Sequence, residues 1–208
     1  MDVRNLAQVG PQVLADGNLS AIRADHAGSL VITQAHGRLY EAAYRKQLHI
    51  AHAIVTAPVI YTTAAGTGGP ILFNPVGNGY NAVILKVSFG ISTAAAAAGI
   101  LGLGAGYQGA AAPGSTTAVD STSNTFIGGP ATSMNLYRVA TPANAANIFF
   151  PLLSVDTGAL TTELTDGGVF ELDGAIVVPP GYFVSPSSSA TLTTAVTNIG
   201  LMWEEVPV

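Results

Sequence analysis

The sequence predicts an all-β protein, a jelly-roll-like β-sandwich preceded by an extended N-terminal arm. Three observations carry this reading. From residue 50 onward the chain offers about eight or more short runs rich in β-branched and aromatic residues, separated by Gly and Pro. The run NAVILKVSFGIST (81–93) alternates apolar and polar residues as a half-buried strand does. The run DGAIVVPPGYFV reads as strand, Pro-Pro-Gly corner and strand, the kind of tight crossing on which two-sheet jelly rolls are built.

Taken in order, residues 1–37 carry scattered turn residues and a single short β-like run, LVIT at 30–33. Such a segment buries little by itself, so it is expected to be an arm that needs a partner surface. The body is then 38–208. RLYEAAYRKQL (38–48) is ambiguous between helix and strand: Glu41 and Arg45 have helical i,i+4 spacing, yet no apolar stripe forms. IAHAIVTAPVIYTT (50–63) predicts a strand with Pro58 at an edge or bulge. AAGTGGP predicts a turn, and ILFNPVGNG a short strand and another turn. In 81–93, Val83, Leu85, Val87, Phe89 and Ile91 are expected on one face. Residues 94–124, rich in Ala, Gly, Ser and Thr, read as a long excursion of the kind that serves function or interaction. Further strands are expected at 134–140, 147–155, 167–172, 175–178 and 181–184. In the terminal run Ile199, Leu201 and Trp203 share a face, with a bulge near Asn198 and Trp203 as core anchor.

Charge is scarce and lopsided. Charged residues make up 9% of the chain, against roughly 25% in ordinary globular proteins. Five of the seven Lys and Arg precede position 47, and residues 87–119 carry no charge. Most of the body therefore has few groups for catalysis, metal binding or phosphate binding. Its surface must be Ser, Thr, Asn, Gly and Ala, which favours a state assembled with other copies. A net charge of −5 gives no electrostatic footprint for nucleic acid. Residues 89–112 are long enough and uncharged enough to suggest a membrane span, but Gly, Ser, Thr and Gln are frequent there, and a strand running into a small-residue loop is the better account. Absence of Cys excludes disulfides and thiol chemistry. The N-terminus lacks the apolar core of a signal peptide, so synthesis and assembly in a cytoplasm are expected.

Candidate chemistry is thin. His49 and His52 stand as H-I-A-H and would point to opposite faces of a strand, so they cannot chelate one metal as neighbours; a metal shared at a subunit axis with His26 and His36 is the remaining option. GAGYQG (104–109) matches GxGxxG without the helix that a dinucleotide fingerprint needs. Glu163, Asp166, Glu171 and Asp173 cluster as a glycosidase or calcium site might, but the segment reads as solvated turn charges. Tyr107 is the aromatic of the long loop, and Glu204 and Glu205 are expected to meet Arg38, Arg45 and Lys46 of the same or a neighbouring chain. Neither an enzyme nor a cofactor is expected.

Four segments, GRLYEAAYRKQL, ILFNPVGNGYNAVILKVSFG, FELDGAIVVPPGYFV and LMWEEVPV, together resemble a group of virion structural proteins of tailed bacteriophages, of the minor capsid or decoration type. The resemblance spans about residues 37 to 208 and contains no catalytic motif. It implies a jelly-roll particle component, oligomeric and located on the head, neck or tail of a virion. The resulting expectation is a homotrimer that decorates or cements the capsid or neck through its N-terminal arm, with major capsid or neck/tail proteins as partners. The interface residues are expected to be Arg38, Tyr40, Tyr44, Arg45, Lys46, Tyr107, Glu204 and Glu205. Two alternatives stand beside it: a host-recognition fibre or spike head binding a cell-surface glycan or receptor through loops 64–80 and 94–124, and a glycan hydrolase.

Overall fold

The computed structural model describes residues 38–56, 60–62, 67–93, 97–155, 167–192 and 195–208. The chain divides into two compact units, Met1–Glu41 and Ala42–Val208, and the second is the body. The predicted arm 1–37, the Pro58 bulge and the carboxylates Glu163 and Asp166 lie outside the described residues.

Among the described residues a short helix, α1 (Tyr40–Tyr44), precedes eleven strands: β1 (Leu48–Thr56), β2 (Thr67–Phe73), β3 (Tyr80–Thr93), β4 (Gly99–Tyr107), β5 (Gly114–Ala118), β6 (Ser121–Asn124), β7 (Asn135–Thr141), β8 (Ile148–Val155), β9 (Gly167–Val178), β10 (Tyr182–Ser188) and β11 (Val196–Pro207). They form two antiparallel sheets, ordered β6-β1-β11-β3-β9 and β5-β7-β2-β10-β4-β8. Eight of the strands pair as nested hairpins: β4 with β8, β3 with β9, β2 with β10, β1 with β11. Successive strands along this folded ribbon alternate between sheets, giving four-strand cores β1-β11-β3-β9 and β2-β10-β4-β8. That is a jelly roll, and β5, β6 and β7 are an insertion that widens both sheets along one side.

The periodicity that predicted these strands also fills the interior. Ala51, Ala53 and Val55 of β1, Val87, Phe89 and Ile91 of β3, Leu101 and Leu103 of β4, and Ile199, Leu201 and Trp203 of β11 meet between the sheets. Trp203 is fully buried and is the largest such side chain. A second, smaller cluster gathers Ile71, Phe73, Ala140, Ala146 and Phe183, with Tyr61 and Tyr137 packed against it.

The structure resolves or corrects the sequence reading at four places. The ambiguous 38–48 segment contains one helical turn, which ends where Lys46 takes a left-handed conformation (φ 62°) and its N–H donates to Ala43. On β3 the single-face pattern is broken: Leu85 is an extra residue between the pairs Ile84↔Trp203 and Lys86↔Met202, so Ala82 and Ile84 face inward before it and Val87, Phe89 and Ile91 after it, and on the other side β9 carries an extra loop opposite Leu85. The extra loop is Asp173-Gly174 of β9, both at positive φ (51° and 82°), which joins the two strands expected at 167–172 and 175–178 into one kinked element. The bulge expected near Asn198 is present at Val196/Thr197, with another register shift at Met202/Trp203.

The fourth correction concerns 94–124, which is not a loop: β4, β5 and β6 lie within it. In LGLGAG (101–106) Leu101, Leu103 and Ala105 point to the core, and the glycines face the other way. A Cβ on Gly102 would lie 2.0 Å from the Phe150 carbonyl oxygen, and one on Gly104 2.8 Å from Ser187 Oγ. These small residues admit neighbours from their own chain. The GxGxxG match runs from this strand into a turn at Gly109 (φ 74°), with no helix following.

The Pro-Pro-Gly corner is as predicted. Gly181 (φ 86°) turns the chain from β9 in one sheet to β10 in the other. Asn74, buried in the turn after β2, fixes the corner: its N–H donates to the Tyr182 carbonyl, and its side-chain amide donates to the carbonyls of Tyr80 and Val178 (2.8 and 2.9 Å).

Candidate functional site

Three features stand out on this scaffold: a buried polar cluster at one end of the sandwich, an aliphatic outer face, and an aromatic pair at a corner.

The buried cluster forms where β1 begins and β11 ends. Cross-strand register sets His49 opposite Trp203, and the pleat turns both inward together with Glu205. Glu205 is 7% exposed and acts as acceptor for the segment between β6 and β7. Thr132 Oγ1–H donates to its Oε1, Ser133 Oγ–H to its Oε2 at 2.6 Å, and the Ser133 amide to both oxygens at 3.1 and 3.3 Å. Trp203 Nε1–H adds a 3.5 Å contact. His49 Nε2 lies 3.6 Å from Oε1, and its Nδ1 is buried without a hydrogen bond among the described residues. Burial pushes the imidazole below its ordinary pKa, and the Glu205 charge opposes that only in part. A 440 Å³ cavity opens beside this cluster, walled in part by Arg45, Lys46 and Tyr80.

Within its own chain Glu205 takes other partners than the basic side chains expected for it. Arg45 and Lys46 border the same cavity, but the hydrogen bonds to Glu205 come from hydroxyls, an amide and an indole, because the pleat turns this side chain into the body. Lys46 holds its ammonium 5.3 Å from the centre of the Phe126 ring instead. Glu204 lies on the opposite, half-exposed side of β11. Arg38 is exposed, and Tyr40 and Tyr44 are exposed on α1 at 46% and 57%.

Tyr107 ends β4 and is 52% exposed. It packs edge to face on Tyr182, with centroids 5.1 Å apart, a pairing the sequence did not suggest. His52 points away from His49, as strand geometry requires. Among the described residues no three potential metal-ligating side chains cluster, and no helix is long and apolar enough to cross a membrane. Of the acidic group, Glu171 bonds Lys86 across β3 and β9 at 2.7 Å, and Asp173 sits in the left-handed kink.

The outer face of the β6-β1-β11-β3-β9 sheet is rich in aliphatic side chains. Ile50 and Ile54 of β1 are 42% and 47% exposed, and Val169 and Val177 of β9 are 65% and 50% exposed. Between them the register sets His52, Gly200, Ser88 and Val169 in one row across the sheet, and Ile50, Met202, Lys86 and Glu171 in the next. The charged pair in the second row neutralises itself. Sequence reading missed this face because the alternation that identifies a strand says which residues face the core, not how apolar the other side will be once strands align.

Neither a protein-family model nor a curated protein matches this chain.

Proposed function

We propose that the chain is a structural protein of a tailed-phage virion, which self-assembles as a homotrimer and decorates or cements the capsid or neck. The observation that carries this reading is the aliphatic outer face of the five-strand sheet, with Ile50, Ile54, Val169 and Val177 open to solvent on a chain with little surface charge. Apolar surface gathered on one sheet face marks an interaction site. The similarity of four spaced segments to phage virion proteins supplies the setting, and the jelly-roll body agrees with it. Glu205, the buried carboxylate, is engaged as an acceptor tying one loop to the body, a structural task. Residues 1–37 serve as the arm that docks on the capsid or a neighbour.

The test is incorporation. Particles assembled in the presence of the full chain should carry it through a density gradient, and a chain lacking residues 1–36 should fold but stay at the top. Normal incorporation of the truncated chain contradicts the anchoring role.

The exposed Tyr107–Tyr182 pair favours a second reading, a host-recognition head that stacks a sugar on these rings. Glycan-array binding lost in Tyr107→Ala supports it; no binding to any glycan removes it.

A further inference from the structure

Ile127 is the most exposed large apolar side chain of the described body, at 92%. It does not sit on a loose loop. The turn that carries it is braced at its base by Asn124, itself 6% exposed, whose amide donates to the Lys46 carbonyl at 2.7 Å and whose Oδ1 accepts from the Phe126 amide at 2.9 Å. Thr125 N–H donates to the Leu48 carbonyl, and Gly129 N–H closes the turn on the Phe126 carbonyl at 2.7 Å. Gly128 takes φ 80°, and Gly129 packs so tightly that a Cβ would lie 2.7 Å from Asn124 Cγ. The Lys46 ammonium covers the Phe126 ring. Four hydrogen bonds, a cation–π contact and two required glycines thus hold one isoleucine out in water. Fixing an apolar side chain in advance lowers the entropy lost when it is later buried.

The same chain carries an open apolar trough on another face. On the outer face of the five-strand sheet lies a trough of about 310 Å³, lined by Ile50, His52, Ser88, Val169, Gly200 and Met202. Its floor must stay low, because a Cβ on Gly200 would lie 2.5 Å from Ser88 Oγ. Lys86 at the rim is already neutralised by Glu171, so the trough suits an uncharged aliphatic guest. The Ile127 turn, FIGGP, is such a guest.

We infer that Ile127 of one copy seats in the Ile50–Val169 trough of the next. The inference rests on the self-assembly reading and names its contact. Knob and hole are different surfaces of one chain, so the contact is heterologous, and it closes into a ring if the rotation between copies allows. Central, water-excluding anchors of this kind dominate interface energies.

The experiment uses the full chain with Ile127→Asp, Ile127→Ser and Val169→Asp, read by sedimentation equilibrium, with thermal melting as the check on folding. Both positions are open to solvent, so melting of the single subunit should not change. The wild type should be oligomeric, and each variant should raise the dissociation constant at least tenfold. Mixing Ile127→Asp with Val169→Asp should give a two-copy species, because the first keeps its trough and the second its knob. A wild-type oligomer untouched by the Ile127 variants, or a mixture that stays single-copy, overturns this inference alone. A wild type that is itself single-copy removes the self-assembly reading as well. Should Val169→Asp fail to fold, the two Ile127 variants still decide the matter.

Discussion

The imidazole of His49 lies stacked on the indole of Trp203, ring centroids 5.7 Å apart and planes 20° apart, and both rings close over the Glu205 carboxylate. The pairing follows from register, since these two residues are cross-strand partners on β1 and β11. It places a titratable ring in a buried site beside the cavity, with one nitrogen unpartnered among the described residues.

The first prediction concerns pH. In the unfolded chain His49 takes a proton near the ordinary value of about 6.5. In the fold, burial lowers that value, with Glu205 pulling the other way and Arg45, Lys46 and Tyr80 facing the adjoining cavity. Between the two values the unfolded state binds more protons, so stability is lost as pH falls below about 6.5. The Tm of the wild type should therefore drop more between pH 7.5 and pH 5 than that of His49→Gln. Parallel curves for the two proteins would show that His49 does not carry the effect.

Removing the acceptor should cost more than removing the ring. Glu205→Ala leaves the Thr132 hydroxyl, the Ser133 amide and hydroxyl, and the Trp203 indole without their shared partner. The expected loss is about 3 kcal/mol in urea unfolding, as for a buried charge-assisted network broken on one side. Glu205→Gln, which keeps one carbonyl oxygen, should lose about half of that. Equal stability for all three proteins would mean that the 130–134 segment is held by other contacts.

Two glycines should respond very differently to a methyl group. At Gly102 the added carbon meets the Phe150 carbonyl oxygen at 2.0 Å, so Gly102→Ala must push β4 and β8 apart, at about 1–3 kcal/mol or more. At Gly77 (φ 79°) nothing lies within 4 Å, and Gly77→Ala pays only for its left-handed backbone, about 1–2 kcal/mol. A double measurement of stability and hydrogen exchange separates them: amides of β4 and β8 should lose protection in the first variant and keep it in the second.

Alternation made the sandwich legible. In β11 the inward set Ile199, Leu201 and Trp203 could be read directly, as could the Pro-Pro-Gly corner, because both depend on neighbours in sequence. The 101–106 strand was hidden, since its outward residues are glycines dictated by Phe150 and Ser187, which are distant in the chain. The break at Asp173-Gly174 was legible as the gap between the runs 167–172 and 175–178, but that β9 continues through it shows only in its register against β3. Of the expected interface residues, Arg45, Lys46 and Glu205 do come to one cavity. The partners that matter to Glu205, Thr132 and Ser133, sit 73 and 72 residues away and left no local signal. Ile127 could have been noticed, because a branched apolar residue directly before Gly-Gly-Pro has no core to enter within a turn.

The central claim is that this weakly charged jelly roll exists to be pressed against copies of itself. Sedimentation equilibrium of the intact wild-type chain at micromolar concentration tests it most directly. The account predicts a mass three times that of the 21.0 kDa subunit. A stable species at the mass of one subunit, unchanged on concentration, contradicts it.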